Sequence, residues 1–373
     1  LDISTLFTPF TLGSITIENR IGMCALTRNR SSQTVPNEMM RQYYGLRAVG
    51  GAGLIVTEGT LITRQGSEWP DAPGIWNKEQ IQGWKKITDS VHVARGKIYC
   101  QLWHLGRLSH PEAPEQIAAA VPVYAPSAIA ACGGKFCFID GAPGYVTPTE
   151  IDDPTVLISQ FRQAAINAKE AGFDGVELHG AGCLIHQFLD STSNKRTDKW
   201  GGSVENCARF ALETLKALIK VYGPNVAIKL SPGIDMGMPL QETLDTFWYL
   251  FREVNTLGLS YVTLLRYKPL HNAEFDGKKR GTPHDVVKSY SQFLADTPLF
   301  VNGGMTPAEA EELVNTGKAT GVFIGAPWIS HPDLGKRIRA GKPLDNPLDL
   351  MTLYGAPGVD PALGYMDYKE AVY

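Results

Sequence analysis

The sequence predicts a single (β/α)8 TIM barrel spanning residues 1–373, and three observations carry that prediction. Eight short, apolar, β-branched runs recur along the chain, helix-length segments separate most of them, and the runs end in polar or glycine residues. A doubly wound sheet is the main rival. It would want a Gly-x-Gly-x-x-Gly after its first strand, and none stands there.

The first run, Ile21 to Leu26, ends in a hydroxyl and two arginines. Tyrosines and a leucine at helical spacing follow from Asn37 to Val49, and Gly50-Gly-Ala-Gly53 leads into the strand Leu54 to Gly59. A helix around Glu79 to Arg95 precedes the strand Lys97 to Trp103. From about Gly106 to Pro154 (residues 106–154) the repeat is interrupted by a stretch rich in Pro, Gly and Ala. A stretch this long inside a compact domain is more often a functional lid or hairpin than a linker, so it is expected to cover the barrel mouth.

The repeat resumes with a helix from Pro154 to Ala171 and a strand from Gly175 that delivers His179. Helix Asn206 to Tyr222, strand Val226 to Ser231, helix Glu242 to Leu257 and strand Tyr261 to Leu265 come next. After a polar loop to Thr282, helix Asp285 to Phe293, strand Leu299 to Gly304, helix Pro307 to Thr316 and strand Gly321 to Gly325 complete the eight units.

Composition narrows the function. A net charge of -3 with 20% charged residues leaves no basic footprint for nucleic acid and no polybasic membrane anchor, so a small-molecule partner is expected. No run reaches membrane-spanning length and the start lacks signal-peptide character, which predicts a cytoplasmic protein. Six scattered cysteines without Cys-x-x-Cys or metal-type spacing predict reduced, mostly packed thiols and no metal. The sequon Asn29-Arg-Ser31 has no mechanism behind it without secretion.

Working residues of such barrels sit where strands end. The predicted ends carry Leu26 and Thr27, Glu58 and Gly59, Gln101 and Trp103, His179, Lys229, Asn302 to Gly304, and Gly325. A lone histidine in a polar turn more often bonds its neighbours, but scaffold demands alone do not place a glutamine, a histidine and a lysine at successive strand ends. Gly303, Gly304 and Gly325 follow the last two strands, where barrel enzymes commonly hold a phosphate on free backbone N–H groups. Ordinary turn glycine is the alternative for either pair alone.

These residues fall within a longer series of motifs. Ala25-Leu-Thr-Arg28, Tyr43-Tyr-Gly-Leu-Arg-Ala48, Thr57-Glu-Gly59, Gln101-Leu-Trp-His-Leu-Gly106, Gly172-Phe-Asp-Gly-Val-Glu-Leu-His179, Asn194-Lys-Arg-Thr-Asp198 and Lys229-Leu-Ser-Pro232 stand in an order and spacing that resembles the Old Yellow Enzyme family of FMN-dependent ene-reductases. The resemblance covers nearly the whole chain. It implies FMN as cofactor, NADPH or NADH as reductant and an activated alkene as substrate, and it allows a homodimer. It further implies that Ala25, Leu26 and Thr27 touch the isoalloxazine, that Gly59, Gln101 and Lys229 bond its pyrimidine edge and ribityl chain, and that Gly303, Gly304 and Gly325 hold the phosphate. His179 would bond the substrate carbonyl, and Trp103 and Tyr354 would shape its pocket.

Two departures stand out. The family pattern after the histidine reads Gly-Ala-(Asn or His)-Gly-Tyr-Leu, whereas this chain reads Gly180-Ala-Gly-Cys-Leu184. The simplest alignment removes the second carbonyl clamp and puts Cys183 where a tyrosine protonates the substrate; a thiol of ordinary pKa near ~8.5 can donate, and so can water. His186 is a candidate replacement clamp, with a core or capping role as its alternative. Secondly, Ala326 in Gly325-Ala-Pro-Trp328 replaces a phosphate-binding arginine, at a cost of about 1.5 to 3 kcal/mol. Arg28, Lys336 and Arg337 are candidate substitutes. These departures motivate two rival functions, a redox-neutral flavin-dependent isomerase or tailoring enzyme and a flavin-free pseudoenzyme.

Overall fold

The apolar residues of each strand alternate because a closed barrel buries both faces of its sheet, each face in a different layer. The computed structural model describes residues 3–132, 144–234, 237–272, 274–275 and 277–373. Eight parallel strands form the barrel: β1 (Ile21–Met23), β2 (Leu54–Val56), β3 (Ile98–Trp103), β4 (Gly175–Gly180), β5 (Val226–Leu230), β6 (Tyr261–Leu265), β7 (Leu299–Asn302) and β8 (Gly321–Ile324). Neighbours in sequence are neighbours in the sheet, and β8 pairs with β1, which closes it.

The outward parity of these strands, such as Ile98, Cys100 and Leu102 on β3 and Val226, Ile228 and Leu230 on β5, packs into the layer shared with the helices. The inward parity climbs from apolar to polar. Tyr99, Tyr261, Phe300 and Phe323 fill the lower barrel, each burial stabilising by about 1.5 to 3 kcal/mol. Above them come Gln101, Glu177, Lys229, Thr263 and Asn302, and at the top Trp103 and His179. Gly22 is required on β1, because a Cβ there would lie 2.4 Å from the Phe323 ring. The antiparallel hairpin Phe10–Leu12 with Ile15–Ile17 adds Leu12, Ile15 and Ile17 to this inner cluster and plugs the lower end.

The helices that follow the strands are α1 (Glu38–Val49), α2 (Lys78–Val93), α3 (Thr155–Glu170), α4 (Val204–Tyr222), α5 (Leu240–Asn255), α6 (Val286–Tyr290), α7 (Pro307–Asn315) and α8 (Ala326–Ser330). Asn37 caps α1 by accepting from the Met40 amide, while Asn77 with Gln80 and Thr306 with Glu309 form capping boxes on α2 and α7, contributing about 1 kcal/mol each.

Three boundaries differ from the sequence reading. β1 stops at Met23 and β2 at Val56, and Thr60–Leu61 then pairs again with β3. The helix read from Asp285 to Phe293 is α6 followed by a 3-10 turn, because the Ser289 carbonyl accepts from the Trp248 indole instead of continuing the helix. The excursion contains the helix Pro114–Ala119 and a parallel pair, Tyr124–Ala125 with Thr149–Glu150. Its described flanks are pinned beside the loop after β4, where Arg196 donates to the carbonyls of Pro126 and Ile151. Its middle, expected as a lid, lies outside the described residues, and so does Cys137.

Among the described residues, Cys24, Cys100 and Cys207 are buried free thiols, Cys132 is an exposed one, and Cys183 is buried. No helix there is long and apolar enough to cross a membrane. Asn29 is buried and donates to the Tyr354 carbonyl at 3.1 Å, which removes the sequon from consideration.

Candidate active site

The ends of β1, β5, β7 and β8 open onto one cavity of about 520 Å³, whose lining includes Ala25, Leu26, Lys229, Gly303, Gly304 and Gly325. Gly303 and Gly304 adopt φ of +124° and +52°, values that L side chains rarely take, so the turn after β7 is free to present backbone. Neither amide donates to an acceptor among the described residues. A cation and a glycine turn with unpaired amides lining the same cavity fit a flavin carrying a phosphate. Ala326 lines the same cavity and is exposed.

Gln101 is held from behind. Its amide nitrogen donates to Glu177 at 2.8 Å, and Glu177 also accepts from the Thr263 hydroxyl at 3.2 Å. Burial pushes the Glu177 carboxyl up, and the neighbouring Lys229 charge opposes that shift. Thr263 stands in no motif, and Glu177 stands inside the Gly172–His179 motif without a role assigned to it. Their signal was parity, since Glu177 stands two residues before His179 and faces the same way.

His179 packs its ring 5.7 Å from that of Trp103, and its Nδ1 is buried without a partner. Burial, then the Lys229 charge, push its pKa down to about 3, so the ring is neutral at ordinary pH and offers one N–H. The Trp103 indole donates to Cys183 Sγ at 3.2 Å, which places the thiol in the same cluster. Gly59 backs this wall: a Cβ there would meet the Trp103 ring at 2.5 Å. His186 lies buried in the short helix Leu184–Leu189 that follows, where its charge opposes protonation of His179.

Several residues singled out by sequence stand elsewhere. Thr27 follows the lining residues Ala25 and Leu26 and is half-buried. Tyr354 sits in the C-terminal segment against Trp69, with ring centroids 4.7 Å apart, in a separate cavity beside Asn29 and Pro70. Arg28 is committed to the Leu353 and Gly364 carbonyls and Tyr43, and Arg337 to Asp333 and Asp345, so neither replaces the lost phosphate arginine. Lys336 is exposed and packs by its backbone on the turn after α1. The cavity residues the sequence reading missed include Cys24, His271 and Met305, which belong to loops or to a packed strand end without a chemical signature.

An eight-stranded parallel barrel with a glycine turn and a lysine lining one cavity, and a buried glutamine–glutamate pair in the layer of that lysine, is compatible with a flavin-binding barrel oxidoreductase. A family profile described as NADH:flavin oxidoreductase / NADH oxidase matches residues 5–345. The chain is 34% identical to 12-oxophytodienoate reductase 7 of Oryza sativa subsp. japonica, over 97% of this chain and 94% of that one. It is 37% identical to chanoclavine-I aldehyde reductase fgaOx3 of Penicillium roqueforti, over 98% and 96%. Among solved structures, morphinone reductase superposes with a TM-score of 0.86 at 37% identity, covering 98% of this chain and 96% of that one. The old yellow enzyme homologue from Zymomonas mobilis does so at 0.87 and 31%, covering 98% and 99%. The chain belongs to the Old Yellow Enzyme family, and it is an FMN-dependent NAD(P)H oxidoreductase.

Proposed function

We propose that this enzyme reduces the activated C=C bond of α,β-unsaturated carbonyl compounds, with His179 binding the carbonyl and Cys183 supplying the proton. The observation that carries the reading is a half-buried, neutral His179 between Trp103 and Lys229 at the top of the barrel. When bound, FMN supplies the hydride from its N5 position after reduction by NAD(P)H.

In this reading Ala25, Leu26 and Thr27 lie along the ring system, Gly59, Gln101 and Lys229 serve its pyrimidine edge, and Gly303, Gly304, Gly325 and Ala326 surround the phosphate. The His179 N–H bonds the carbonyl oxygen as negative charge develops there. The alkene carbon that does not receive hydride takes a proton from the Cys183 thiol, which solvent then replenishes. The indole N–H on Sγ stabilises the sulfur as its proton leaves. Trp103 walls the substrate pocket directly, and Tyr354 contributes through Trp69.

A thiol at this place supports net reduction over the redox-neutral isomerase. The unpaired amides and glycine turn support a flavin-loaded enzyme over a pseudoenzyme. Anaerobic NADPH titration of FMN-loaded protein, followed by a panel of enones, tests the reading. Bleaching, then reoxidation with one NADPH consumed per saturated product, is the expected result. Product without net NADPH consumption would establish isomerisation instead, and reduced flavin that no activated alkene reoxidises would remove the proposal.

A further inference from the structure

The turn that receives the FMN phosphate needs a cation, because a dianion held on backbone amides alone keeps much of its desolvation cost. Ala326 provides none. Lys229 also lines the cavity, but in the proposed function it serves the pyrimidine edge of the flavin. Two other cations flank the turn itself, both on the loop after β6.

Arg266 follows β6 directly. Its Nη2 donates to the carbonyls of Gly303 at 3.0 Å and Gly304 at 3.3 Å, and its Nη1 lies 3.7 Å from Glu309. Its Nε is buried and has no partner. Lys268 approaches the same turn, with its Cε 3.9 Å from where a Cβ on Gly304 would be. Glu309 is the counter-charge for both, and its carboxyl is held low by the Thr306 backbone N–H and then by Arg266 and Lys268. Two cations against one carboxylate leave a net positive charge beside the glycines. The Arg266 bonds to both glycine carbonyls also turn those carbonyls away from an incoming anion.

We propose that Arg266 and Lys268 together supply the phosphate-binding charge of this enzyme, so that the cation comes from the loop after β6 rather than from the residue after Gly325. The inference rests on FMN being the cofactor and not on any substrate. Lys268 acts as a mobile point charge, and Arg266 both braces the turn and adds charge.

Equilibrium titration of apoprotein with FMN and with riboflavin, which lacks the phosphate, tests it without turnover. Wild type is expected to prefer FMN by about 100-fold or more, a preference that weakens in high salt. Lys268→Ala should lose about 3- to 10-fold in FMN affinity and the Arg266→Ala/Lys268→Ala double variant about 10- to 100-fold, with riboflavin affinity changed by no more than about twofold. Adding Ala326→Arg to the double variant should recover most of the loss. Unchanged FMN affinity in the double variant, or no FMN preference in wild type, overturns the proposal. Equal weakening of FMN and riboflavin overturns it too, since that is loss of the turn rather than of charge.

Discussion

Lys229 lies opposite His179 in the register of β5 and β4, so a fixed ammonium flanks the imidazole from the neighbouring strand. With burial, that charge keeps the ring neutral far below its ordinary pKa of 6.5. In the proposed mechanism the group therefore acts as a hydrogen-bond donor and not as a titrating acid. The rate of enone reduction by reduced enzyme should show no inflection near pH 6.5, and one there would contradict the assignment. His179→Ala should lower that rate by about 100-fold or more while FMN affinity and reduction by NADPH stay within about twofold, as stopped-flow half-reactions can separate.

Cys183 is placed by the Trp103 indole bond, and its thiol is buried. Cys183→Ala removes the proton donor and should slow the enone half-reaction by roughly 100-fold, leaving the NADPH half-reaction unchanged. Cys183→Tyr restores a phenol at the aligned position and should recover part of the loss. Equal slowing of both half-reactions in Cys183→Ala would mean that the cysteine only packs against Trp103.

The barrel and its mouth were legible because two-residue parity and strand-end position are local properties: Gln101, His179 and Lys229 announce themselves within their own segments. Contacts made across register were not. Nothing near Cys183 in sequence says that an indole 80 residues earlier donates to it, and nothing in Arg266-Tyr-Lys268 says that it folds against Gly303 and Gly304. The place of Arg28, one of three candidate substitutes for the phosphate arginine, was not legible for the same reason. It reads as a free cation after a strand, yet it is spent on the carbonyls of Leu353 and Gly364, more than 320 residues away.

Glu177 fixes the orientation of Gln101 through one hydrogen bond and holds Thr263 through another. Glu177→Leu strands both donors in a buried layer, which should destabilise the apoprotein by about 2 to 5 kcal/mol in urea denaturation and weaken FMN binding. Glu177→Gln can still accept from Gln101 and donate to Thr263, so it should retain most of both properties. Equal losses in the two variants would show that the carboxylate charge beside Lys229, and not the bonding, is what the site uses.

Glu58 at the end of β2 is buried and accepts from the Tyr44 hydroxyl at 3.2 Å and the Arg28 amide at 3.3 Å. Burial pushes its pKa from 4.5 up to about 7. Between those values the folded chain holds a proton that the unfolded chain has released, so this group's contribution to stability is full below pH 4.5 and is lost as pH rises through about 7. His104 and His179, both held near 3 by burial, act in the opposite sense below 6.5. Only the difference between wild type and Glu58→Gln isolates the carboxyl. The variant should gain on wild type from pH 4.5 to 7, by an amount on the order of 3 kcal/mol at most, and then hold a constant margin. Denaturation of both proteins at a series of pH values measures that margin. A difference independent of pH would mean that Glu58 is ionised throughout, with the Arg28 charge compensating its burial in full.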